Sequence, residues 1–513
     1  MRRDSKVKKT AFHFIFGRTV IVALLLLLQF ALLIFLMGVV GTLTAYLTVI
    51  ISAVLVVVVI NRKGQPAFKM AWILPLTVLP VFGGLLYLFV QLQPGTRKIK
   101  DKLEVLKEET KPYLQQNPAV MQNLLSENPQ MAQMAHYLAQ KGDAPIYQNT
   151  SVQYFPSGET YYEELLTQLK QAENFIFLEY FIVAEGKMWD SILEVLRQKK
   201  EEGVEVRFMY DGMCSLLLLP YRYPERIREM GIQCKMFAPI RPALSSSQNN
   251  RDHRKIVVID GVTAFTGGIN LADEYINQKP RFGHWKDTGV MIQGDAVQNF
   301  TMMFLQMWNI GEKQPERYRP YLTPHILCRK AAGYVVPFGD CPLDDENVGE
   351  HVFLDMLYTA KRYVHIMTPY LIIGYELVQA MNYAAKRGVE VELILPHIPD
   401  KWYAFQVART YYPELLEAGV KIYEYTPGFV HAKVYISDDE KAVVGSTNMD
   451  YRSLYLHYEC AALFVNNPSV ADAEKDFQET KAKCQMMTVQ DYQNLPWYNR
   501  LTGRLLRLIA PLM

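Results

Sequence analysis

Two segments of the sequence carry a histidine, a lysine and an aspartate at the same spacing, and each is followed by a turn of small residues and an asparagine. The residues are His253, Lys255, Asp260 and Asn270 in HRKIVVID and GGIN, and His431, Lys433, Asp438 and Asn448 in HAKVYISD and GSTN. Imidazoles can act as nucleophiles or proton carriers, while ammonium and amide groups can hold anionic oxygens. The pattern therefore indicates chemistry on a phosphate ester.

The alternation of side chains along a strand decides which residues of each motif share a face. Each motif is an apolar, strand-like run, so His253 and Lys255 are expected on one side of it, and the second motif repeats this arrangement. Asp260 and Asp438 lie seven residues beyond their histidines and fall on the opposite face. Because this spacing is the same in both motifs, the two aspartates are included among the candidate catalytic residues. Their position on the opposite face nevertheless favours a structural hydrogen-bonding role over contact with substrate.

A phosphodiester is the substrate that fits two such motifs acting together. One neutral imidazole attacks phosphorus, and the other, protonated, delivers a proton to the departing alcohol. In a second step the proton carrier deprotonates the acceptor hydroxyl, which displaces the first histidine. The lysines and asparagines stabilise the negative charge of the transition state, so the chemistry calls for no metal and no cofactor.

A histidine with these roles usually has a carboxylate on its remote ring nitrogen, which fixes the tautomer. The candidates are Asp287 in HWKDTGVMI and Glu459 in LHYECAALF, each at the head of an apolar run that follows an asparagine. An ordinary solvated or helix-capping role is the alternative for both carboxylates.

The two motifs lie in an internal repeat. GVEV occurs at 203–206 and again at 388–391, each time after a helix-like stretch. The sequence therefore predicts two lobes related by a pseudo-twofold axis, at 144–325 and 326–513, with the proline-containing stretch 318–342 as the boundary. Short apolar runs alternate with amphipathic segments, which is typical of an α/β fold. The strand candidates include Phe175–Phe181, Val204–Tyr210 and Lys255–Ile259.

A membrane anchor is predicted in residues 1–96. The sequence has no charged residue and no histidine between Arg18 and Arg62, and a stretch of this length exceeds one bilayer crossing. Two spans are expected, at 19–38 and 43–60. A third uncharged stretch, Met70–Thr96, either spans or dips in and returns, and the basic residues that flank every segment favour the re-entrant form.

Two further segments accompany the anchor and the lobes. Residues 97–143 are polar and helical in character, and they are interpreted as a juxtamembrane arm. The C-terminal run LPWYNRLTGRLLRLIAPLM can place leucines opposite arginines on a helix, which predicts an interfacial helix at the membrane surface. A terminal helix packed on its own domain is the alternative.

Composition excludes several classes of protein. A formal net charge of +2, with 21% charged residues, gives no electrostatic reason to expect a nucleic-acid partner. The six cysteines form no CxxC pair, so neither a zinc site nor a dithiol redox site is indicated, and they are interpreted as free thiols in a reducing compartment. They are Cys214, Cys234, Cys328, Cys341, Cys460 and Cys484.

HRKIVVID with GGIN, and HAKVYISD with GSTN, resemble the paired HKD motifs of the phospholipase D superfamily, and the resemblance extends from Tyr147 to the C-terminus. In residues 72–89, WILPLTVLPVFGGLLYLF is similar to the membrane segment of bacterial cardiolipin synthases. The resemblance implies two phospholipase D-like α/β/α lobes preceded by transmembrane helices, in a multi-pass protein of the bacterial plasma membrane. The extra apolar length before Lys63 departs from the two-span arrangement of many members.

The resemblance also implies a reaction, in which two phosphatidylglycerol molecules give cardiolipin and glycerol through a phosphatidyl-histidine. The family roles correspond here to His253 as the nucleophile and His431 as the acid and base. The family residues that hold phosphate correspond to Lys255, Lys433, Asn270 and Asn448. The implied partners are phosphatidylglycerol and the lipid bilayer, with no nucleic acid, while a homo-oligomer stays open.

Three alternatives remain at this point. The same site could hydrolyse phospholipid headgroups if water replaces the lipid alcohol, and the motifs do not distinguish the two outcomes. A nuclease of the same superfamily is disfavoured by the membrane segments and by the lack of basic tracts interleaved with aromatic residues. A membrane-tethered scaffold with a vestigial site is disfavoured because both motifs are intact.

Overall fold

The structure, a computed structural model, describes residues 31, 42–91, 94–213, 218–239, 249–314, 316–322 and 331–512. A layer of N-terminal helices precedes two mixed β-sheets, each covered by helices. This arrangement confirms the α/β fold class.

The first three described helices pack into one N-terminal layer. They are α1 (Thr42–Asn61), α2 (Pro66–Val78) and α3 (Pro80–Gln91). Val59, Leu76 and Tyr87, one from each helix, form its buried core. Large apolar side chains such as Ile50 and Val57 on α1 are exposed.

The three predicted membrane segments can be located relative to the helices of this layer. The span at 19–38 lies almost entirely outside the described residues, and the span at 43–60 falls within α1. The stretch Met70–Thr96 is not one helix, because the chain breaks at Leu79 (φ −130°, ψ 70°), where the following Pro80 disfavours a helical residue. Over the described part of the chain, no helix is both long enough and apolar enough to cross a bilayer.

Three helices connect this layer to the first sheet. They are α4 (Pro94–Thr110), α5 (Pro118–Glu127) and α6 (Pro129–Lys141). Each begins with proline, whose missing N–H costs nothing at a helix start. Asn117 and Asn128 cap α5 and α6 by accepting backbone N–H groups. The buried face of α6, which includes Leu138, packs into the core of the second lobe.

The first lobe is built on a seven-stranded sheet. Its strands and two short neighbours are β1 (Thr150–Phe155), β2 (Phe175–Tyr180), β3 (Glu205–Asp211), β4 (Gln233–Phe237), β5 (Arg251–Asp252), β6 (Lys255–Ile259), β7 (Thr263–Gly267), β8 (His284–Lys286) and β9 (Gly289–Gly294). Its helices are α7 (Gly158–Lys170), α8 (Lys187–Glu201), α9 (Tyr223–Glu229) and α10 (Val297–Asn309). The sheet order is β1-β9-β7-β6-β2-β3-β4. The three strands named from the sequence are therefore confirmed to within one residue at each end.

The second lobe repeats this sheet. Its strands are β10 (Tyr334–Asp340), β11 (Tyr363–Met367), β12 (Leu371–Ile372), β13 (Glu390–Pro396), β14 (Lys421–Tyr425), β15 (Gly428–Val430), β16 (Val434–Ser437), β17 (Lys441–Gly445), β18 (Met449–Asp450), β19 (His457–Val465) and β20 (Cys484–Met486). Its helices are α11 (Val348–Thr359), α12 (Tyr375–Lys386), α13 (Trp402–Arg409), α14 (Tyr412–Glu417), α15 (Tyr451–Tyr455), α16 (Ser469–Lys481), α17 (Val489–Gln493) and α18 (Trp497–Arg507). The order β10-β19-β17-β16-β11-β13-β14 matches the first sheet strand for strand, and β20 extends its edge.

The repeated GVEV marks the same turn in both lobes. Gly203 follows α8 and Gly388 follows α12, and each leads into the next parallel strand. Their φ angles are +95° and +93°, in the left-handed region that glycine adopts without strain. The repeat in the sequence is therefore a repeated helix stop.

The two lobes share one hydrophobic core. Buried side chains of α10, such as Phe300 and Phe304, and of α16, such as Phe477, pack among the inner faces of both sheets. The two sheets also meet directly, where β7 contacts β17 and β19. These strand contacts and the two helices together join the lobes into one body. The histidine motifs lie along the strands that border this shared core.

Candidate active site

Two short pairs of parallel strands join the lobes beside the histidine motifs. β5 of the first lobe pairs with the start of β19, and β15 of the second lobe pairs with β8. The N–H of His253 donates to the carbonyl of Tyr458 over 3.0 Å, and the N–H of His431 donates to that of Lys286 over 2.7 Å. Each histidine is therefore held opposite the residue that precedes a carboxylate of the other lobe.

Because of this strand pairing, each motif histidine contacts a carboxylate of the other lobe. His253 Nδ1 lies 2.9 Å and 3.0 Å from the carboxylate oxygens of Glu459. His431 Nδ1 lies 2.7 Å from Oδ2 of Asp287. Both carboxylates named from the sequence thus contact a motif histidine, and each serves the histidine of the other sequence half.

Glu459 is held in place by two hydroxyl groups. Ser453 Oγ donates to its Oε1 over 2.6 Å, and Ser446 Oγ donates to its Oε2. Burial nevertheless raises the pKa of Glu459 to about 7, although Lys255 and these hydroxyls oppose the shift. In the ionised form of Glu459 both carboxylate oxygens accept hydroxyl protons, Nδ1 of His253 is the natural third donor, and Nε2 of His253 is left with the lone pair.

The environment of His431 is different. Asp287 Oδ1 accepts the backbone N–H of Thr288 over 2.8 Å, and burial raises the pKa of Asp287 to about 7. Lys433 Nζ lies 2.9 Å from His431 Nδ1, the same nitrogen that contacts Asp287. Three groups that exchange protons readily therefore meet at one ring nitrogen.

The two lysines occupy equivalent positions. Lys255 and Lys433 are fully buried, and each ammonium donates to the backbone carbonyl of the histidine of its own motif. Burial lowers the pKa of Lys255 to about 8 and that of Lys433 to about 7. An anion that enters the site would stabilise both ammonium groups.

Burial favours the neutral form of both histidines. Burial is the largest cause that lowers the pKa of His253 and of His431 well below the ordinary range, and the nearby ammonium groups lower it further. The charge of His431 lowers the pKa of His253 in addition. A neutral imidazole keeps the lone pair that a nucleophile needs.

The two motif asparagines are engaged differently. Asn270 Oδ1 accepts the backbone N–H of Ile182 over 2.9 Å, and its Nδ2 donates to the hydroxyl of Tyr275 over 2.7 Å. Asn448 is also buried, but its Oδ1 has no hydrogen-bond partner among the described residues. Asn270 therefore has one amide hydrogen left for a ligand, whereas Asn448 has an unsatisfied amide oxygen.

The structure places the two motif aspartates away from the histidines, which corrects their inclusion among the candidate catalytic residues. Asp260 follows β6, at the opposite end of that strand from His253, and accepts the backbone N–H groups of residues 173–175 over 2.7–2.8 Å. Asp438 accepts those of residues 361–363 over 2.7–2.9 Å. Their carboxylates tie one turn to the start of a neighbouring strand, and they face away from the histidines as the strand parity requires.

Several side chains at the site were not named from the sequence. The ring of His457 lies 5.4 Å from that of His253, and the ring of Trp285 lies 5.3 Å from that of His431. Both residues lie two positions before a histidine-contacting carboxylate, so strand parity could have identified them. Lys401, which lowers the pKa of both motif histidines, comes from a distant loop and carries no such sequence pattern.

Two groups of side chains are close enough to hold a metal ion. Ligand atoms of His253, His457 and Glu459 lie within 4.8 Å of one another, and the same is true of His365, Glu390 and Glu392. In the first group both oxygens of Glu459 already accept serine hydroxyls. In the second group, lysine ammonium groups already pair with both glutamates; these are Lys421 and Lys481.

The described cysteines carry free thiols, in agreement with the sequence interpretation. They are Cys234, Cys341, Cys460 and Cys484. Cys214 and Cys328 lie outside the described residues. Burial raises the pKa of each described thiol, so these cysteines are structural rather than nucleophilic.

Two known protein families match parts of this chain. The family described as "Cardiolipin synthase, PLD-like domain" matches residues 165–308 and 353–481, and the family described as "Phospholipase_D-nuclease N-terminal" matches residues 50–91. The two parts of the first match cover more than half of the chain and contain both histidine motifs.

Curated relatives extend over almost the whole chain. A cardiolipin synthase of Alkalihalophilus pseudofirmus is 33% identical over 92% of this chain and 94% of its own length. A cardiolipin synthase of Halalkalibacterium halodurans is 32% identical over 93% and 94%. An uncharacterized protein of Streptococcus mutans is 48% identical over 89% of this chain and 99% of its own.

A solved structure shares the fold. The phosphatidylserine synthase of Haemophilus influenzae superposes with a TM-score of 0.52 at 14% identity, covering 74% of this chain and 98% of that one. At this identity the likeness concerns the fold alone. Together, the paired motifs, the two matching sheets and the relatives show that the chain belongs to the cardiolipin synthase family of phospholipase D-like proteins.

Proposed function

We propose that this enzyme makes cardiolipin by transferring a phosphatidyl group from one phosphatidylglycerol molecule to another, with release of glycerol. The observation that carries the proposal is the crossed pairing of His253 with Glu459 and of His431 with Asp287. This pairing puts one imidazole from each lobe, each with an oriented ring, beside two buried lysines. Such a site suits one phosphodiester held between two imidazoles.

In the first step His253 is the nucleophile. The Nε2 lone pair attacks phosphorus, a P–N bond forms, and the bond from phosphorus to the headgroup oxygen breaks. His431 gives its proton to that oxygen, so glycerol leaves as a neutral alcohol. The anionic diester raises the pKa of the imidazole that it contacts, which allows His431 to carry this proton even though burial opposes it.

In the second step the proton returns. The terminal hydroxyl of a second phosphatidylglycerol loses its proton to His431, and its oxygen attacks phosphorus. The P–N bond breaks, and His253 regains its lone pair. Two phosphatidylglycerol molecules have then given one cardiolipin and one glycerol, with no net change in the enzyme.

The assignment of the two roles is supported by the different surroundings of the histidines. Glu459, held by two serine hydroxyls, keeps the proton of His253 on Nδ1 and leaves Nε2 as the nucleophile. His431 instead shares Nδ1 with both Asp287 and Lys433, which is the better setting for a group that must gain and lose a proton.

The phosphate-holding residues belong to the same proposal. Lys255 and Lys433 supply positive charge to the nonbridging oxygens, and the Nδ2–H groups of the buried Asn448 donate to the same oxygens, since its Oδ1, unpaired among the described residues, can only accept. Asn270 supplies its remaining amide hydrogen. These groups act without a metal in the mechanism proposed here.

We place the enzyme at the bilayer, where both lipid substrates reside. The N-terminal layer, within residues 1–96, exposes apolar side chains on α1 and α2 that suit contact with acyl chains. The arm at 97–143 then leads to the lobes at 144–325 and 326–513. A site held at the membrane surface meets two diesters that need not leave the lipid phase.

The C-terminal helix supplies a second membrane contact in this proposal. Gly503 packs against the backbone of Gln406 in α13, so α18 rests on its own lobe. Its other face exposes Trp497, Leu501 and Leu505 by 69%, 47% and 57%. Packing on its own lobe is one of the two arrangements expected from the sequence, and the exposed aromatic and apolar face of the helix suits the interfacial region of a bilayer.

The test is a product assay. The purified full-length enzyme is incubated in mixed micelles with phosphatidylglycerol as the sole phospholipid, and the products are quantified. The proposal expects cardiolipin and free glycerol in equal amounts. Phosphatidic acid as the dominant product would instead establish a phospholipase D that hydrolyses headgroups.

A further inference from the structure

A third histidine lies beside the nucleophile with unsatisfied hydrogen-bonding groups. His457 is 7% exposed, and both of its ring nitrogens are buried without a hydrogen-bond partner among the described residues. Its Nδ1 is 3.8 Å from Oε1 of Glu459, which is beyond hydrogen-bond distance. A buried donor left unpaired is costly, so such a ring is expected to find its partner in a ligand.

The pseudo-twofold axis shows what is unusual about this position. Trp285 lies two residues before Asp287 and packs its ring 5.3 Å from His431, while His457 lies two residues before Glu459 and packs 5.4 Å from His253. The two lobes thus place a ring against each catalytic imidazole. On the nucleophile side that ring is itself an imidazole.

The surroundings of His457 keep it neutral. The charged and titratable groups around it are His253, Arg452, Lys255, Lys401 and Glu459. Burial lowers the pKa of His457 well below the ordinary range, and the four positive or ionisable neighbours lower it further. A neutral imidazole always carries one N–H donor. His457 therefore has a donor to offer and no protein acceptor for it among the described residues.

The direction of attack indicates which ligand atom accepts this N–H. In an in-line displacement the attacking and leaving atoms lie on opposite sides of phosphorus. The leaving glycerol is on the His431 side, so a group that packs on the His253 ring faces the phosphoryl oxygens rather than the headgroup. A ring nitrogen of His457 also lies within 4.8 Å of one of His253.

From this geometry we infer that His457 donates its ring N–H to a phosphoryl oxygen of the diester that His253 attacks. This inference rests on the proposed function, because it uses the same nucleophile and the same substrate. A donor in this position stabilises the charge on phosphorus in both steps and contacts neither the leaving nor the accepting alcohol. It is expected to change the rate of transfer without changing the choice between lipid and water.

The experiment compares His457→Phe with His457→Asn in the full-length enzyme. Phenylalanine keeps a ring against His253 and Phe181 but removes the donor, whereas asparagine restores an N–H. The expected result is a fall in kcat of about 100-fold for His457→Phe, with KM little changed and the cardiolipin to phosphatidic acid ratio unchanged. His457→Asn recovers at least a tenth of the wild-type kcat, and His136→Phe, at an exposed histidine, has no effect.

Orthovanadate gives a second measurement that does not depend on lipid transfer. As a mimic of the phosphoryl group, it is expected to bind at least tenfold more weakly to His457→Phe than to the wild type, with asparagine again intermediate. Equal vanadate binding and equal kcat in His457→Phe would overturn the inference. A changed product ratio would also overturn it, since that result places His457 on the alcohol. A wild type that binds vanadate but makes no cardiolipin would refute the proposed function and leave the His457 contact standing.

Discussion

His253 and Glu459 are 206 positions apart in the sequence and belong to different sheets, yet His253 Nδ1 lies 2.9 Å from Oε1 of Glu459. His431 and Asp287 repeat this relationship in the opposite sense over 2.7 Å. Each motif histidine therefore has its carboxylate partner in the other lobe. The proposed mechanism therefore requires both lobes, because each lobe holds the carboxylate that contacts the imidazole of the other.

Loss of the carboxylate at Glu459 tests this relationship. In Glu459→Gln the amide keeps the size of the side chain but no longer fixes the His253 tautomer. We expect kcat to fall by about 100- to 10,000-fold. Lipid transfer by purified protein is the measurement, and Glu479→Gln, at an exposed glutamate, is the matched control. Activity within threefold of the wild type in Glu459→Gln would show that the crossed pair does not orient the nucleophile.

The motif aspartate Asp260 is expected to affect stability instead of chemistry. Its carboxylate accepts three backbone N–H groups. In Asp260→Asn one of these donors faces an amide NH₂, which lowers the free energy of unfolding by about 1–3 kcal/mol. Asparagine tolerates the positive φ of this position, so the backbone itself is not strained. Thermal unfolding should show the loss, while kcat per folded molecule stays within a few-fold of the wild type. A large loss of kcat at unchanged stability would return Asp260 to the catalytic set.

The sequence predicts much of this site because its signals are local. Strand parity along HRKIVVID separates His253 from Asp260, and the shared GVEV reveals the repeat that the two sheets confirm. The crossed pairing was not predictable in this way. It depends on β5 joining β19 and β15 joining β8, and short contacts between distant segments leave no periodic pattern.

The N-terminal region shows a second limit to what the sequence predicts, which concerns the boundaries of its helices. The uncharged stretch Met70–Thr96 is expected either to span or to dip in and return, and hydropathy does not show where such a segment bends. In the structure one helix ends at Val78 and the next begins at Pro80. Hydropathy averages over such a break, whereas backbone hydrogen bonding does not. The position of Pro80 therefore predicts the helix boundary better than the hydropathy of the stretch does.

The buried carboxyl of Glu459 predicts a pH-dependent stability. Its pKa is raised to about 7 from 4.5, so the folded enzyme holds this proton over a range in which the unfolded chain has lost it. The resulting stabilisation is complete below pH 4.5 and is lost as pH rises through 7. The Tm of Glu459→Gln minus that of the wild type should therefore rise between pH 5 and pH 8. Asp491→Asn, at a partly exposed carboxylate whose pKa is lowered, should not show this rise. A flat difference for Glu459→Gln would contradict the burial argument.

The exposed face of α18 predicts a dependence on the lipid surface. In Leu501→Asp/Leu505→Asp the apolar contact with the bilayer is lost while the buried Gly503 contact remains. We expect transfer in phosphatidylglycerol vesicles to fall by about tenfold. Transfer with short-chain phosphatidylglycerol below its critical micelle concentration should be unchanged. Leu125→Asp, at an exposed leucine of α5, is the control. Equal losses in both assays would point to a structural role for α18.

The most direct test of the central claim is to trap the phosphatidyl group on its histidine. Phosphatidyl-p-nitrophenol has a leaving group that needs no proton, so His431→Asn should form the intermediate and, without its base, fail to pass it on. The account predicts a burst of one p-nitrophenol per site and a phosphatidyl adduct on the peptide that contains His253, seen by mass spectrometry at alkaline pH. An adduct on His431 in His253→Asn, or a burst with no adduct on any histidine, would contradict it.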